Sequence, residues 1–324
     1  MISMYPSIVA DIGGTNARFA LVNGKQNGQF EFSHIHILNA QDYPTINAAL
    51  HAYMQLLDGV KPRAVSAAIA GPVLGDTVKM TNLNWEFSVK QLTAEFGLDR
   101  FVALNDFAAV AAATGDIHSD FVQTIKAGTG DPNGNKAVFG PGTGLGVAGV
   151  IRHQGKWLPL PSEGGHVNLA PTNALEADII KAAMKRHPQV SAEVFISGPG
   201  LVHLYKALAD VLGVAPSDVS PADITSNALA KSDPVCLQTL EVFCSLIGSF
   251  AGNLALTYGA TAGVYMAGGI LPRFADFLRQ SEFSQKFNAK GAQQGYVANI
   301  PAYLITHPEI AFAGAAAWLE HQLG

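Results

Sequence analysis

Five short segments hold residues whose types and spacing suit chemistry. The first is Asp11-Ile12-Gly13-Gly14-Thr15. Glycines let a backbone approach a phosphate, and successive N–H groups form a concavity for anions. Thr15 adds a hydroxyl donor. An acid beside a polyphosphate makes sense when a cation sits between them, and Mg²⁺ keeps most of its waters, so Asp11 alone suffices. A tight hairpin with Asp capping the turn explains the same residues. The second segment is Gly140-Pro141-Gly142-Thr143-Gly144-Leu145-Gly146. Residues 144–149 have the spacing G-x-G-x-x-G, but that fingerprint opens a helix, and Val147–Ile151 favours a strand. The turn reads as a phosphate contact of another kind.

The third segment, Leu104-Asn105-Asp106-Phe107, puts an acid at the end of an apolar strand, where α/β folds place ligands. Asp106 can accept a hydroxyl proton, and Asn105 can both donate and accept. An N-cap before the Ala-rich helix that follows is the competing explanation. The fourth, Ser162-Glu163-Gly164-Gly165-His166, suits a polyhydroxylated ligand, because Glu accepts from two hydroxyls and His donates or accepts. Two such residues with no third in register argue against a metal, and a solvated turn is the alternative. The fifth, Met266-Ala267-Gly268-Gly269-Ile270, lets a flat ring lie against backbone or simply turns the chain. Glu193, in Ser191-Ala192-Glu193, reads as the first turn of a helix capped by Ser191.

The elements that must position these residues follow from pattern. Strands are expected at 8–10, 18–22, 30–38, 64–69, 78–81, 85–87, 101–104, 136–139, 147–151, 263–267 and 297–305. Helices are expected at 44–57, 88–96, from 106 to 113, and at 174–186, 191–195, 200–212, 221–231, 234–258 and 309–322. Strand meanders followed by alternating helices and strands imply α/β layers. Residues 8–22 align without gaps on 137–151, with Gly13 on Gly142 and Val9 on Val138. Two related lobes, each presenting a glycine turn, would suit a nucleotide's phosphates.

Composition excludes several classes. The chain has 324 residues, enough for one large or two moderate domains. Charged residues are 14%, against about 25% in an ordinary soluble domain. With 48% hydrophobic residues the chain is not disordered. A net charge of -5 argues against nucleic acid as the main partner. The 2 cysteines, Cys236 and Cys244, cannot make a disulfide framework and read as buried apolar residues. No charge occurs between Glu241 and Arg273, but the glycines and Asn253 within that run argue for a core helix and strand, not a membrane span. The N-terminus has no secretion-signal pattern, so a cytoplasmic location is expected.

Taken in order, Asp11-Ile-Gly-Gly-Thr-Asn-Ala-Arg18, Met80-Thr-Asn82…Trp85, Leu104-Asn-Asp106-Phe, Gly140-Pro-Gly-Thr-Gly-Leu-Gly146, Glu163-Gly-Gly-His166, Ser191-Ala-Glu193, Ser197-Gly-Pro-Gly200 and Ala267-Gly-Gly-Ile270-Leu-Pro-Arg273 closely resemble the bacterial glucokinases. The resemblance runs from end to end, with no departure at the motif positions. The loop at 127–135 and the tail from 309 are individual. The repressor/kinase branch usually carries a Cys-rich zinc motif, which two distant cysteines cannot supply.

The resemblance implies a two-lobed α/β fold, actin-like and hexokinase-like (ribonuclease H-like), with a central cleft. It implies a small domain of 1–112 plus 301–324 and a large one of 113–300. It implies ATP-dependent phosphorylation of glucose, with Asp106 as general base. Asn105, Asp106, Glu163, His166 and Glu193 would hold the sugar. Ala10, Asp11, Ile12, Gly13, Gly14 and Thr15, with Gly142, Thr143, Gly144, Gly268 and Gly269, would hold ATP, and Asp11 would hold Mg²⁺ through water. Members are commonly homodimers. Two other classes use the same residues: a nicotinamide-dependent oxidoreductase through 144–149, and a non-catalytic sugar sensor or actin-like ATPase.

Overall fold

The computed structural model describes residues 4–80, 82–115 and 117–323. Met1–Ser3, read for a secretion signal, and the Thr81 end of the strand expected at 78–81 lie outside the described residues. The chain folds into two compact units. The first is the chain up to Ile117, Trp157–Pro161 and the chain from His307. The second is His118–Lys156 and Ser162–Thr306.

The first unit carries strands β1 (Ser7–Ile12), β2 (Asn16–Gln26), β3 (Gln29–Asn39), β4 (Ala64–Ile69), β5 (Thr77–Lys79), β6 (Glu86–Ser88) and β7 (Arg100–Asn105). Its helices are α1 (Ile46–Gln55), α2 (Val89–Glu95) and α3 (Asp106–Ala113). The five-stranded sheet has the order β3-β2-β1-β4-β7. β1 is antiparallel to β2 and parallel to β4, and β4 is parallel to β7. β4 is Ala-Val-Ser-Ala-Ala-Ile and buried at every position, as a strand covered on both faces must be. One face packs on α1 and α2 through Ile8, Leu50, Tyr53 and Phe101. The other takes Phe312 and Leu319 of the last helix.

The second sheet is built from β8 (Val122–Lys126), β9 (Lys136–Pro141), β10 (Leu145–His153), β11 (Lys156–Ser162), β12 (Gly263–Met266) and β13 (Ala302–Ile305), all in the second unit except Trp157–Pro161 of β11. Its order is β11-β10-β9-β12-β13-β8. The helices are α4 (Ala174–Ala183), α5 (Ala192–Phe195), α6 (Gly198–Leu212), α7 (Pro221–Ala230), α8 (Pro234–Tyr258), α9 (Ala275–Gln280), α10 (Phe283–Asn288) and α11 (Gln294–Ala298). The last helix of the chain, α12 (Ile310–Leu323), belongs to the first unit. α8 takes the first half of the uncharged run and β12 lies in the second. Asp233 caps the first N–H groups of α8 at 2.7 and 2.9 Å, Pro234 opens it and left-handed Gly259 closes it. It is long and apolar enough to cross a membrane, but it is mostly buried in the core, with Phe243, Ile247 and Phe250 inside. Cys236 and Cys244 are buried on it, and burial pushes their thiols up to about 11 and about 12.

Four expectations change. The expected strand at 297–305 is α11 followed by β13. The return to the first unit comes at His307 instead of 301, because β13 is paired between β12 and β8 in the second sheet. The first boundary falls after Ile117 instead of 112, since α3 runs on to Ala113 and the residues after it stay with the first unit. The internal repeat is real at the level of topology: β3-β2-β1-β4 matches β11-β10-β9-β12 in order. The ungapped alignment does not survive the turn, however. Ile12 pairs with Ala17, whereas Pro141 pairs with Leu145, so the second turn is one residue shorter.

Candidate active site

In the first unit the candidate residues sit where three parallel strands end together. Register pairs Ile12 with Ile69 and Ile69 with Asn105, so the Gly13–Thr15 turn and Asn105 end up two strand spacings apart, about 10 Å. Asn105 is the N-cap of α3: its Oδ1 accepts from Ala108 N–H at 3.1 Å. Its Nδ2 donates to Asp106 Oδ1 at 3.0 Å and to the Gly71 carbonyl at 3.3 Å. Asp106 Oδ1 also accepts from Phe107 N–H at 2.8 Å. The cap and the catalytic reading therefore coexist on neighbouring residues, Asn105 capping and Asp106 being oriented.

Asp11 lies across the hairpin from Arg18. The arginine reaches Asp11 Oδ2 at 3.4 Å but Glu309 Oε2 at 2.5 Å, with its guanidinium 5.0 Å from the Phe312 ring centroid. Burial pushes the Asp11 carboxyl up from the ordinary range, Arg18 pulls it down, and Glu309 adds to the rise. Because Arg18 is held mainly by Glu309, Asp11 keeps only a long contact to its cation. One carboxylate beside a glycine turn suits Mg²⁺, which retains waters and takes phosphate oxygens as its other ligands. Arg18 and Glu309 were not singled out from sequence. The four-residue turn was the available signal, since pairing 12 with 17 sets 18 opposite 11.

In the second unit the Gly142–Gly144 turn is closed by Gly142 N–H donating to the Gly144 carbonyl at 2.8 Å. β12 runs beside β9, and Ala267 N–H donates to the Phe139 carbonyl at 2.8 Å, which brings Gly268-Gly269 next to that turn. Glu163 precedes a short helical turn, Gly164–His166, and His166 ends it. His166 Nε2 is 4.0 Å from Glu163 Oε2, and its Nδ1 is 3.8 Å from Glu193 Oε1. Glu193 is in the first turn of α5, but Ser191 makes no side-chain cap. Instead Ala192 N–H donates to the Val167 carbonyl at 2.9 Å, tying the segment to His166. The dinucleotide spacing at 144–149 lies along β10 and opens no helix, so a nicotinamide site is not built there.

The grouping is therefore Asp11–Thr15, Asn105 and Asp106 in one unit, and Gly142–Gly144, Gly268-Gly269, Glu163, His166 and Glu193 in the other. A family profile for glucokinase matches residues 8–322. The chain belongs to the glucokinase family. It is 57% identical over 317 residues to the glucokinase of Saccharophagus degradans, across 98% of this chain and 99% of that one. It is 41% identical over 316 residues to the glucokinase of Hahella chejuensis, across 98% and 97%. The crystal structure of a glucokinase from an Antarctic psychrotroph superposes with a TM-score of 0.91 at 40% identity, covering 98% of this chain and 100% of that one. A ROK-family glucokinase from Streptomyces griseus, solved with glucose and AMPPNP, shares the fold at a TM-score of 0.66 and 20% identity, covering 98% and 99%. The glucokinase-family fold is thus the hexokinase-like, actin-like one expected from the motifs.

Proposed function

We propose that the chain transfers the γ-phosphoryl group of ATP to the 6-hydroxyl of glucose, with Asp106 as the base. The observation that carries the assignment is the full-length family match, combined with a carboxylate at the end of β7 oriented by Phe107 N–H and Asn105. Phosphoryl transfer is mostly positioning and charge stabilisation. Asp106 orients the sugar hydroxyl and takes its proton as the new P–O bond forms, and ADP leaves. Glu163 and Glu193 accept from sugar hydroxyls, and His166 donates or accepts. Asn105 holds the base and faces the same ligand. Ala10–Thr15 and Gly142–Gly144 offer N–H groups to phosphates, and Gly268-Gly269 gives the adenosine a flat backbone surface. Asp11 would hold Mg²⁺ through water, and the bound ion would offset phosphate charge. The protein works in the cytoplasm as a homodimer, as the family resemblance implies, and the burial of α8 in a core supports a location off the membrane.

The test is ADP release over a hexose panel with ATP and Mg²⁺, for the wild type and Asp106→Ala. Glucose-dependent release is expected, with turnover of the variant lowered by about 10²–10⁴-fold and glucose binding retained by calorimetry. A variant with near-normal kcat would remove Asp106 from the chemistry.

A further inference from the structure

The main chain of Leu145 joins three segments of the second unit. Its N–H donates to Glu193 Oε2 at 2.8 Å. Its carbonyl oxygen lies against Gly165, where a Cβ would stand only 2.0 Å away, so the Glu163–His166 turn approaches this closely because residue 165 is glycine. Immediately before Leu145 is the closed Gly142–Gly144 turn, whose Gly142 carbonyl also accepts from Gly198 N–H at 2.8 Å. Glu193 is about one-third exposed, with Oε2 on Leu145 and Oε1 toward His166. A Cβ on Gly144 would come within 2.6 Å of Glu193 Oε2, so the carboxylate reaches the Leu145 N–H only past a residue without a side chain.

We infer that Glu193 is a positioning residue for the phosphate turn as well as a sugar contact. This rests on the sugar and phosphate roles proposed above. Sugar hydroxyls that donate to Glu193 fix its rotamer, which fixes the acceptor of Leu145 N–H and with it the exit of the turn. Nucleotide then binds a turn that is already ordered, and the ordering cost is met once for two ligands. By linkage the nucleotide tightens sugar binding by the same factor. The coupling runs inside one unit, through one carboxylate and one peptide N–H.

The experiment measures the Kd of Mg²⁺–AMPPNP by calorimetry with and without saturating glucose, and takes the ratio. A ratio of about 10 is expected for the wild type, within the usual range for coupled sites. Gly144→Ala displaces a flexible carboxylate rather than backbone, so the fold survives, which a melting curve checks. In that variant the ratio should fall at least about threefold. Any direct obstruction of phosphates by the new methyl group changes both Kd values alike and leaves the ratio untouched. Glu193→Gln, which still offers an oxygen to Leu145 N–H, should retain more of the ratio than Gly144→Ala does. A wild-type ratio of one, or a Gly144→Ala ratio equal to the wild type, overturns the inference while glucose phosphorylation stands. A wild type that neither binds nor phosphorylates glucose overturns the functional reading itself.

Discussion

Replacing Asn105 by Asp separates two functions of one amide. A peptide N–H can only donate, so the Ala108 contact fixes the oxygen of Asn105 on the helix and its nitrogen on Asp106. Aspartate at 105 keeps the cap, and its charge suits a helix N-terminus. It loses the donor to Asp106 Oδ1 and sets a second carboxylate beside the proposed base. Two unit charges 4 Å apart interact by about 4 kcal/mol at an effective dielectric of about 20, or about 3 pKa units. Both side chains are only part-buried, so solvent screens the pair and about 1–2 units should remain. The sign is upward, since a like charge disfavours the anion of Asp106. The base stays protonated to higher pH, and the acidic limb of kcat/KM against pH should move up by about 1–2 units. Asn105→Ala loses the cap, about 1 kcal/mol of stability, and the donor to Asp106 Oδ1 but adds no charge, so its limb should move up by less than that of Asn105→Asp. Initial rates from about pH 5 to 9, beside thermal melts of both variants, check this. An unmoved limb in Asn105→Asp, or an equal shift in Asn105→Ala, would refute the reasoning.

Two further predictions concern stability. Burial raises the Asp11 carboxyl, so the folded state binds that proton more tightly than the unfolded state does. Stability from this group is therefore lost as pH rises through the window above the ordinary carboxylate value. Asp11→Asn should melt at or above the wild type near neutral pH while losing Mg²⁺-dependent nucleotide affinity in calorimetry, and a lower melting temperature would contradict the sign. Gly314→Ala puts a Cβ 1.7 Å from the Ala109 carbonyl oxygen, forcing α12 off the helix that begins with Asp106. A loss of about 1–3 kcal/mol is expected, read as a shifted denaturation midpoint, and an unshifted midpoint would show that the two helices slide freely.

Much of this was legible because the local signals are strong. α8 has an Asp cap, a Pro at its first position and a Gly at its end, and its expected bounds are those found. What escaped had weak or divided signals. α9 and α10 have six residues each and no side-chain cap, so neither periodicity nor punctuation marks them. Val297 and Ile300 are buried around a short apolar run, which pattern alone cannot divide between helix and strand, and α11 takes the first of them. β11 contains Pro159 and Pro161, which hide a strand that sits at the sheet edge, where proline is tolerated. At the site, residue types announced the carboxylates and turns, but not their partners. That Asn105 donates to Asp106, or that Leu145 N–H meets Glu193, depends on side-chain direction and on long-range packing, which spacing does not encode.

The two hairpins also differ in charge. After the one-residue difference between the turns is allowed for, the Asp11–Arg18 pair of the first hairpin corresponds to the Gly140–Gly146 pair of the second. One copy of the same strand arrangement carries an acid and its loosely held cation, and the other carries neither. The second turn nevertheless has a carboxylate at its exit, supplied from α5 by Glu193 across 48 residues of sequence. A carboxylate brought by a separate segment can be moved by what binds to it, whereas one fixed in a strand opposite its own arginine cannot. With Glu193 in the sugar-holding role proposed above, the repeated scaffold without the repeated charge would leave one turn prearranged and the other responsive to the sugar.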